Sequence, residues 1–258
     1  MTSSTSSFWK DRIRASAVHL SLSVVVAALS ALLVFGLWYP YPYREIAGGR
    51  ELFVLVVAVD VIMGPLITLA IFDRRKHWNK LRRDLLIVVL LQLSALGYGL
   101  WTVAIARPVH LVFEIDRFRV VHAIEIPDEL VHMTPQGITA LPFSGPSLLG
   151  LRPFKDGDEQ MEATMAALQG ISLSSRPDLW QTYDASRADV IRVAKPVGQL
   201  RQRFPGQVAV IEAALAGQST AAVAAARYVP LAARKSFWTV LVDGRNGDIL
   251  GFVPLDSF

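Results

Sequence analysis

Three long apolar runs shape the first part of the chain. They cover residues 17–38, 51–72 and 85–106, and few charged side chains interrupt them. A helix that crosses a bilayer needs about 20 mostly apolar residues. The pattern therefore predicts three transmembrane helices, preceded by an arm at residues 1–16.

The pattern changes after the third run. Charged side chains return every few positions in residues 107–258, and no further run has spanning length. Residues 107–127 are rich in β-branched and aromatic side chains on either side of Asp116 and Arg117, which predicts a β-hairpin or one long bent strand. Residues 237–255 carry two β-rich runs around a Gly and Asn turn, which predicts a second hairpin. We therefore expect a soluble α+β domain whose terminal hairpins can share one sheet.

Helical patterns lie between the two hairpins. Asp156 can cap a helix that stops near Gly170, and its apolar residues follow helical spacing: Met161, Met165 and Leu168. A second helix is predicted to start at Ser186, which has an acidic residue three positions later, and Pro196 should kink or divide it. A third pattern covers residues 207–216, and the state of the alanine-rich stretch after it is left open.

Composition and charge point to a membrane protein. Hydrophobic residues make up 52% of the 258 positions, charged residues make up 19%, and the mean hydropathy is +0.38. Residues 1–106 hold 11 Lys and Arg against 6 Asp and Glu, while residues 107–258 hold 15 against 16. The basic character thus belongs to the part that contacts the lipid bilayer. It is more typical of membrane topology than of nucleic-acid binding, so no nucleic-acid partner is expected.

The positions of the basic residues predict the orientation. The arm carries Lys10, Arg12 and Arg14, and the loop at residues 73–84 carries six basic residues: Arg74, Arg75, Lys76, Lys80, Arg82 and Arg83. The loop at residues 39–50 carries only Arg44 and Arg50. Because Lys and Arg concentrate on the cytoplasmic side, the arm and the second loop should be cytoplasmic and residues 107–258 periplasmic in a bacterium. The first run could instead be a signal peptide, but its length and the missing small-residue cleavage site favour a retained anchor.

One acidic residue stands inside the second apolar run. A carboxylate near the middle of a spanning helix costs about 2.5 to 3.5 kcal/mol on insertion scales, so Asp60 should face a helix bundle or a wet cavity. Gly64 and Pro65 follow it, and Pro65 has no N–H for the carbonyl of Val61. Counting inward from the ends of the spans gives the side chains expected at a similar depth: Ser30 and Tyr98 as hydrogen-bond partners, with Gln92 deeper.

Three interpretations of Asp60 stay open. A protonated Asp60 could tie the three helices together, or it could contact a transmembrane helix of another protein. Transfer of protons or ions is the least favoured, because a lone acid among three short spans provides no relay.

Residues for catalysis or metal binding are scarce. The chain has no cysteine, which excludes disulfides and thiolate sites. It also lacks a nucleophile elbow, a Walker loop, a zinc-protease motif and a glycine-rich dinucleotide motif, so neither an enzyme nor a cofactor is expected. His110, His122 and His132 have no ligand spacing and are interpreted as packing or surface residues rather than as a metal site. Trp180 and Tyr183 could form an exposed patch, but burial in the core is favoured.

Four ordered motifs resemble a known family. They are GGRELF (48–53), VDVIMGPLITLAIF (59–72), LRRDLLIVVLLQLSALGYGLWTV (81–103) and ARPVHLVFEIDRFRVV (106–121). They resemble the type IV pilin accessory protein family, also called TfpX/TfpZ-like or FimB-like fimbrial assembly proteins. The resemblance implies a bacterial inner-membrane protein that works beside the major type IV pilin and assists pilus assembly or tunes extension and retraction.

The resemblance brings in no catalytic residue, cofactor or substrate. It implies shared positions at Asp60, Gly64 and Pro65 and at the Arg107–Pro108 step. Two other classes stay open: a membrane-anchored periplasmic sensor or ligand-binding protein, whose soluble domain would need a concave pocket, and a small transporter.

Overall fold

The computed structural model describes residues 3–73, 77–234 and 236–258, and side chains from residue 9 onward within them. The membrane orientation was predicted from the positions of basic residues. Three of these residues lie outside the described residues: Arg74, Arg75 and Lys76. The chain divides into two compact units. A helical unit consists of Met1–Pro40 with Gly48–Ile105, and a sheet unit consists of Tyr41–Ala47 with Ala106–Phe258.

Long helices form the helical unit. Helix α1 (Ser3–Leu33) continues as a π-helical turn at Val34–Trp38, and the short helix α2 (Tyr43–Ile46) separates it from α3 (Gly49–Ile71) and α4 (Trp78–Ile105). Among the described residues, three helices are long and apolar enough to cross a membrane. The prediction of three transmembrane helices followed by a mixed α and β domain is confirmed. Most of the predicted arm is itself helical, since α1 begins at Ser3.

Helix α3 is the centre of the helical unit, because it packs against both α1 and α4. The rings of Phe35 and Phe53 meet edge to face with their centroids 4.9 Å apart. On the other side, a Cβ added at Gly99 would lie 2.5 Å from Cγ1 of Val56, so α4 approaches α3 closely at this glycine. Such close approach at small residues is how helices associate in lipid, where no hydrophobic force drives them together. Pro65 lies inside α3 without ending it.

A mixed sheet organises the sheet unit. Its eight described strands are β1 (Pro108–Glu114), β2 (Arg117–His122), β3 (Ser147–Leu151), β4 (Trp180–Thr182), β5 (Lys195–Pro196), β6 (Ala226–Ala232), β7 (Phe237–Asp243) and β8 (Ile249–Val253). Their order is β4-β3-β1-β2-β6-β7-β8, with β5 paired to β6. The β1–β3 and β2–β6 pairs are parallel and the others antiparallel. Both predicted hairpins, β1–β2 and β7–β8, are confirmed, and they share this sheet.

Five α-helices connect the strands in the part of the sheet unit that the structure describes: α5 (Gly157–Leu168), α6 (Tyr183–Val193), α7 (Val197–Arg203), α8 (Val208–Leu215) and α9 (Thr220–Ala224). The predicted cap of α5 is confirmed, since Oδ1 of Asp156 accepts a hydrogen bond from the Glu159 backbone N–H at 2.8 Å. Pro196 separates α6 from α7, as predicted. The predicted start at Ser186 is wrong, because α6 begins at Tyr183. Ser186 is instead buried inside the helix, where its hydroxyl accepts a hydrogen bond from Gln181 Nε2.

Both faces of the sheet are buried. Neighbouring residues of a strand point to opposite faces, and in β6 Val229 joins the core under α6 while Tyr228 joins the core under α7 and α8. Trp180 is buried, in agreement with the interpretation favoured from the sequence, and its indole N–H donates to the Ser174 carbonyl at 2.8 Å.

The connection between α1 and α3 belongs to the sheet unit. Ile46 is 0% exposed and lies in the same core cluster as Leu111 and Phe113. The Tyr43 ring meets the Phe252 ring edge to face at 5.9 Å, and burial raises the pKa of Tyr43. From the sequence, residues 39–50 are predicted only to be a loop between the first two spans. The sheet unit is instead built from two separate pieces of sequence.

Candidate functional site

The polar centre of the helical unit is a contact between Asp60 on α3 and Gln92 on α4. The Gln92 amide donates from Nε2 to Oδ1 of Asp60 at 3.0 Å and to the Asp60 backbone carbonyl at 3.2 Å. Both side chains are partly buried. The pair satisfies polar groups that would otherwise face lipid at high cost.

Gly64 makes room for this contact. A Cβ added at Gly64 would lie only 1.9 Å from Nε2 of Gln92, a separation at which something must move. The amide of Gln92 therefore lies directly over the glycine and reaches Asp60 one turn away. Gly64 is part of the Asp60 site because it lacks a side chain.

The two hydrogen-bond partners predicted for Asp60 do not occupy that role. Tyr98 is 69% exposed, and its ring lies against Trp101 with centroids 5.7 Å apart, so the expected Tyr98–Asp60 hydrogen bond is wrong. Ser30 is buried on α1, but the hydrogen bonds that the described residues make to Asp60 come from Gln92. The prediction for Tyr98 is wrong because of the direction in which its side chain points. Gly99 is the residue that faces α3, and Tyr98 points about 100° away from it, since successive residues of a helix are about 100° apart.

Helix α1 supplies a second set of polar contacts to α3. Nδ1 of His19 and Oγ1 of Thr68 share a hydrogen bond of 2.5 Å, and the Ser16 hydroxyl donates to the Pro65 carbonyl at 2.9 Å. Ser23 is also buried on α1. The contacts of Ser16, His19 and Thr68 were not predicted from the sequence.

A spacing signal could have found them. Ser16, His19 and Ser23 are separated by three and four positions, which places them on one face of a helix. Asp60 and Thr68 are eight positions apart with Gly64 midway, which places these three on one face of α3.

A cavity of about 700 Å³ lies between α1, α3 and α4. Its polar lining comes from Asp11, Arg14, His19, Ser23, Asp60, Thr68 and Gln92. The rest is apolar and includes Val18 and Leu22 of α1 and Val89 and Leu93 of α4. Among the described residues α1 and α4 make no extended contact, so the cavity is a groove with α3 as its floor. We call it the α1–α4 groove.

The groove has the volume and chemistry to accept part of a helix. A helix is about 10 Å wide and rises about 5.4 Å per turn, so 700 Å³ corresponds to roughly one and a half turns. Its apolar walls suit lipid-embedded side chains, and the polar strip along its floor can hydrogen-bond a polar group on the occupant.

Two residues of the sheet unit that were discussed from the sequence, Arg107 and His110, make defined hydrogen bonds. Arg107 donates from Nη2 to the Pro142 carbonyl at 3.3 Å, and its own carbonyl accepts from the Ala123 N–H at 3.0 Å. His110 is fully buried, with Nε2 donating to the Ala140 carbonyl at 2.8 Å and Nδ1 accepting from the Ser147 hydroxyl at 2.6 Å. Desolvation by burial lowers the pKa of His110 to about 4.

In the described part of the chain, no three His, Asp or Glu side chains are arranged to hold a metal ion.

Known proteins resemble almost the whole chain. A family profile described as "Fimbrial assembly protein FimB" matches residues 7–48. Two fimbrial assembly proteins of Dichelobacter nodosus, from serogroups I and E1, are each 34% identical over 251 residues, which cover 94% of this chain and 95% of theirs. The chain belongs to the FimB family of fimbrial assembly proteins.

A shorter FimB-family match comes from the same organism. The fimbrial assembly protein of serogroups C1 and C2 is 42% identical over 105 residues, which cover 41% of this chain and 80% of its own length. No solved structure matches the chain significantly. The FimB profile spans most of α1 and so includes Ser16, His19 and Ser23, which face the groove or bond its floor.

Proposed function

We propose that this protein is an inner-membrane accessory of type IV pilus assembly, and that it binds the major pilin through the α1–α4 groove. The observation that carries the proposal is the open groove lined by the Asp60–Gln92 pair, in a chain related to fimbrial assembly proteins. In this role it assists assembly or modulates extension and retraction. It acts by binding, without catalysis or a cofactor.

The proposed orientation follows from the basic residues. The arm and the loop at residues 73–84 lie in the cytoplasm, and the sheet unit lies in the periplasm. A pilin subunit waiting in the inner membrane has one embedded apolar helix and a globular head outside. The groove is available to the helix and the sheet unit to the head.

Binding in the groove rests on packing and hydrogen bonds. Lipid tails are as apolar as leucine, so helices associate in a bilayer through close packing and polar contacts. Leu22 and Leu93 offer packing surface on opposite walls. The polar strip favours a helix that carries a polar group, because such a helix can add hydrogen bonds to the strip and a purely apolar helix cannot.

In-cell photocrosslinking with the cognate pilin tests the proposal. A photoreactive residue at Leu93, which lines the groove, should capture the pilin helix, as should one at Leu22. Leu91 is a matched control, since it is 65% exposed against 57% for Leu93 and lies about 200° round α4.

The position of the crosslinks decides the outcome. Capture of pilin from Leu93 and Leu22 but not from Leu91 supports the groove. Equal capture from Leu91 and Leu93 would indicate contact without a defined site. Capture from none of them would remove the pilin helix as the occupant.

A further inference from the structure

The α1–α4 groove occupies only one half of the helical unit. Its lining runs along α1 from Asp11 and Arg14 to Val26, and on α3 it ends at Asp60. Arg14 and Val26 are twelve residues apart, which corresponds to about 18 Å along a helix. One leaflet supplies half of a hydrocarbon core that is about 30 Å thick. The groove is therefore about as long as one leaflet is thick.

The spans meet at the opposite end of the helical unit. The Tyr39 side chain is fully buried there, and its hydroxyl donates to the Val103 carbonyl of α4 at 3.2 Å. The same ring lies directly over Gly49 at the start of α3, where it leaves no room for a Cβ. An occupant of the groove therefore lies in the leaflet on the side of the arm, which is the cytoplasmic leaflet in the proposed orientation.

The walls of the groove require an apolar occupant. Val18, Leu22 and Leu93 line it and are 57%, 62% and 57% exposed. Empty space beside such side chains forfeits their dispersion contacts. When no protein helix lies in the groove, the hydrocarbon chain of a lipid fills it.

The polar side chains of the groove tolerate such a chain. Gln92 donates to Asp60, and His19 shares a hydrogen bond with Thr68, so these residues are paired within the helical unit before any ligand binds. An acyl chain that covers these pairs breaks none of their hydrogen bonds, although it adds none either. A helix with a polar group can add hydrogen bonds, so it can displace the chain.

A cation marks the end of the groove at the membrane surface. Arg14 lines this end, and among the described residues it has no ion-pair partner. Asp11 lines it too, but the surrounding sequence is strongly basic, since residues 9–14 and 73–84 contain nine Lys and Arg against three Asp and Glu. Basic pockets between transmembrane helices on the cytoplasmic side suit the headgroups of anionic lipids. The charge thus selects among the lipids that could supply the chain.

We propose that the α1–α4 groove binds one acyl chain of an anionic phospholipid of the cytoplasmic leaflet, with the lipid phosphate at Arg14, and that the pilin helix displaces this lipid. The lipid site follows from the groove alone, and only the displacement rests on the proposed function. The bound lipid keeps the apolar walls covered until a pilin helix replaces it.

Photoreactive lipids test the site without pilin. Full-length protein is reconstituted in phosphatidylcholine vesicles that contain a small amount of phosphatidylglycerol with a diazirine near the end of one acyl chain. The same diazirine chain on phosphatidylcholine is the control for the headgroup. Mass spectrometry should find about 5-fold more labelling by phosphatidylglycerol than by phosphatidylcholine at Leu93, as one basic contact near a membrane surface predicts. Leu91, on the other side of α4, should show no preference, and equal labelling by both lipids at Leu93 would overturn the site.

Two pairs of variants identify what holds the lipid. Arg14→Gln should lower phosphatidylglycerol labelling at Leu93 about 5-fold, to the level of phosphatidylcholine. Arg83→Gln is the matched control, because it removes the same charge at the same end of the unit from an exposed residue outside the groove. Val89→Trp fills the groove and should lower labelling at Leu93 by both lipids, whereas Leu91→Trp should not. Equal losses in Arg14→Gln and Arg83→Gln would show general surface attraction and overturn the site.

Adding purified pilin to the same vesicles tests the displacement. Phosphatidylglycerol labelling at Leu93 should fall several-fold. Unchanged labelling, although a photoreactive residue at Leu93 captures pilin in cells, would overturn the displacement. Labelling that depends on Arg14 while Leu93 and Leu22 capture no pilin would support the lipid site and overturn the proposed function. Pilin capture without a preference for phosphatidylglycerol would overturn the lipid site and leave the proposed function standing.

Discussion

Gln92 occupies the space that Gly64 leaves open. Its Nε2 atom lies 1.9 Å from the position that a Gly64 Cβ would take, and from there it donates to Asp60. The sequence feature around Asp60 and the Gly-Pro pair is therefore one structural unit. The glycine provides the space, the glutamine fills it, and the aspartate receives its hydrogen bond.

A methyl group at Gly64 should disrupt this unit. In Gly64→Ala, Gln92 must leave its place and the hydrogen bond to Asp60 is lost, while overpacking costs typically about 1–3 kcal/mol. We expect a lower unfolding temperature in detergent and a weaker pilin crosslink from Leu93.

Gly97→Ala is the matched control for that variant. Gly97 also lies within a spanning helix, and nothing lies within 4 Å of an added Cβ there. Because alanine favours helix by up to about 1 kcal/mol over glycine, Gly97→Ala should be neutral or slightly stabilising. Equal loss of stability in both variants would contradict the role assigned to Gly64.

An Asp60→Asn variant separates the structural role from partner contact. The asparagine Oδ1 can still accept the Gln92 hydrogen bond, so the amount of protein in the membrane and its unfolding temperature should stay close to those of the parent. If the carboxyl group itself faces the pilin helix, piliation and the Leu93 crosslink should fall several-fold. Normal piliation and normal pilin co-purification would instead confine Asp60 to holding α3 and α4 together.

Local patterns made most of the secondary structure predictable. The β1–β2 and β7–β8 hairpins follow from alternation and turn residues within about 20 positions, and α5 follows from its cap. Long apolar runs likewise predicted the three transmembrane helices. Each of these signals lies within the element that it specifies.

The direction in which a side chain points was harder to predict. Depth alone suggested Tyr98 for Asp60, but Gln92 lies two turns before Gly99 and shares its α3-facing side, whereas Tyr98 does not. Burial of Ile46 among residues more than 60 positions away could not be read from its neighbours. The exposure of the apolar side of α5 was unpredictable for the same reason, since the spacing of Met161, Met165 and Leu168 is that of a buried face but their side chains are 58%, 50% and 79% exposed.

The contribution of Ile46 to the sheet unit is testable. Ile46→Ala removes a fully buried side chain, and such truncations cost about 2–5 kcal/mol. Urea unfolding followed by tryptophan fluorescence should show the loss. Tyr41→Ala, at a residue that is 71% exposed, should change little. Equal midpoints for Ile46→Ala and the parent would show that the connection between α1 and α3 does not support this core.

Stability of the sheet unit should fall in mild acid because of His110. Burial lowers the His110 pKa to about 4, against an ordinary value of 6.5, so below pH 6.5 the unfolded chain takes up a proton that the folded chain does not. The free energy of unfolding should therefore drop between pH 6.5 and pH 4. By linkage the loss from this residue is about 2 kcal/mol at pH 5 and approaches about 3 kcal/mol at lower pH.

A difference between variants isolates the His110 effect from other titrating groups. His110→Gln is less stable at pH 7, because it disturbs the hydrogen bonds to Ala140 and Ser147, but its unfolding free energy should depend less on pH between 6.5 and 4. His132→Gln, at an exposed histidine, is the control for replacing a histidine of the sheet unit. An unchanged slope in His110→Gln would mean that another group accounts for acid sensitivity. A reduced slope would show that the neutral imidazole between Ala140 and Ser147 is what the fold requires.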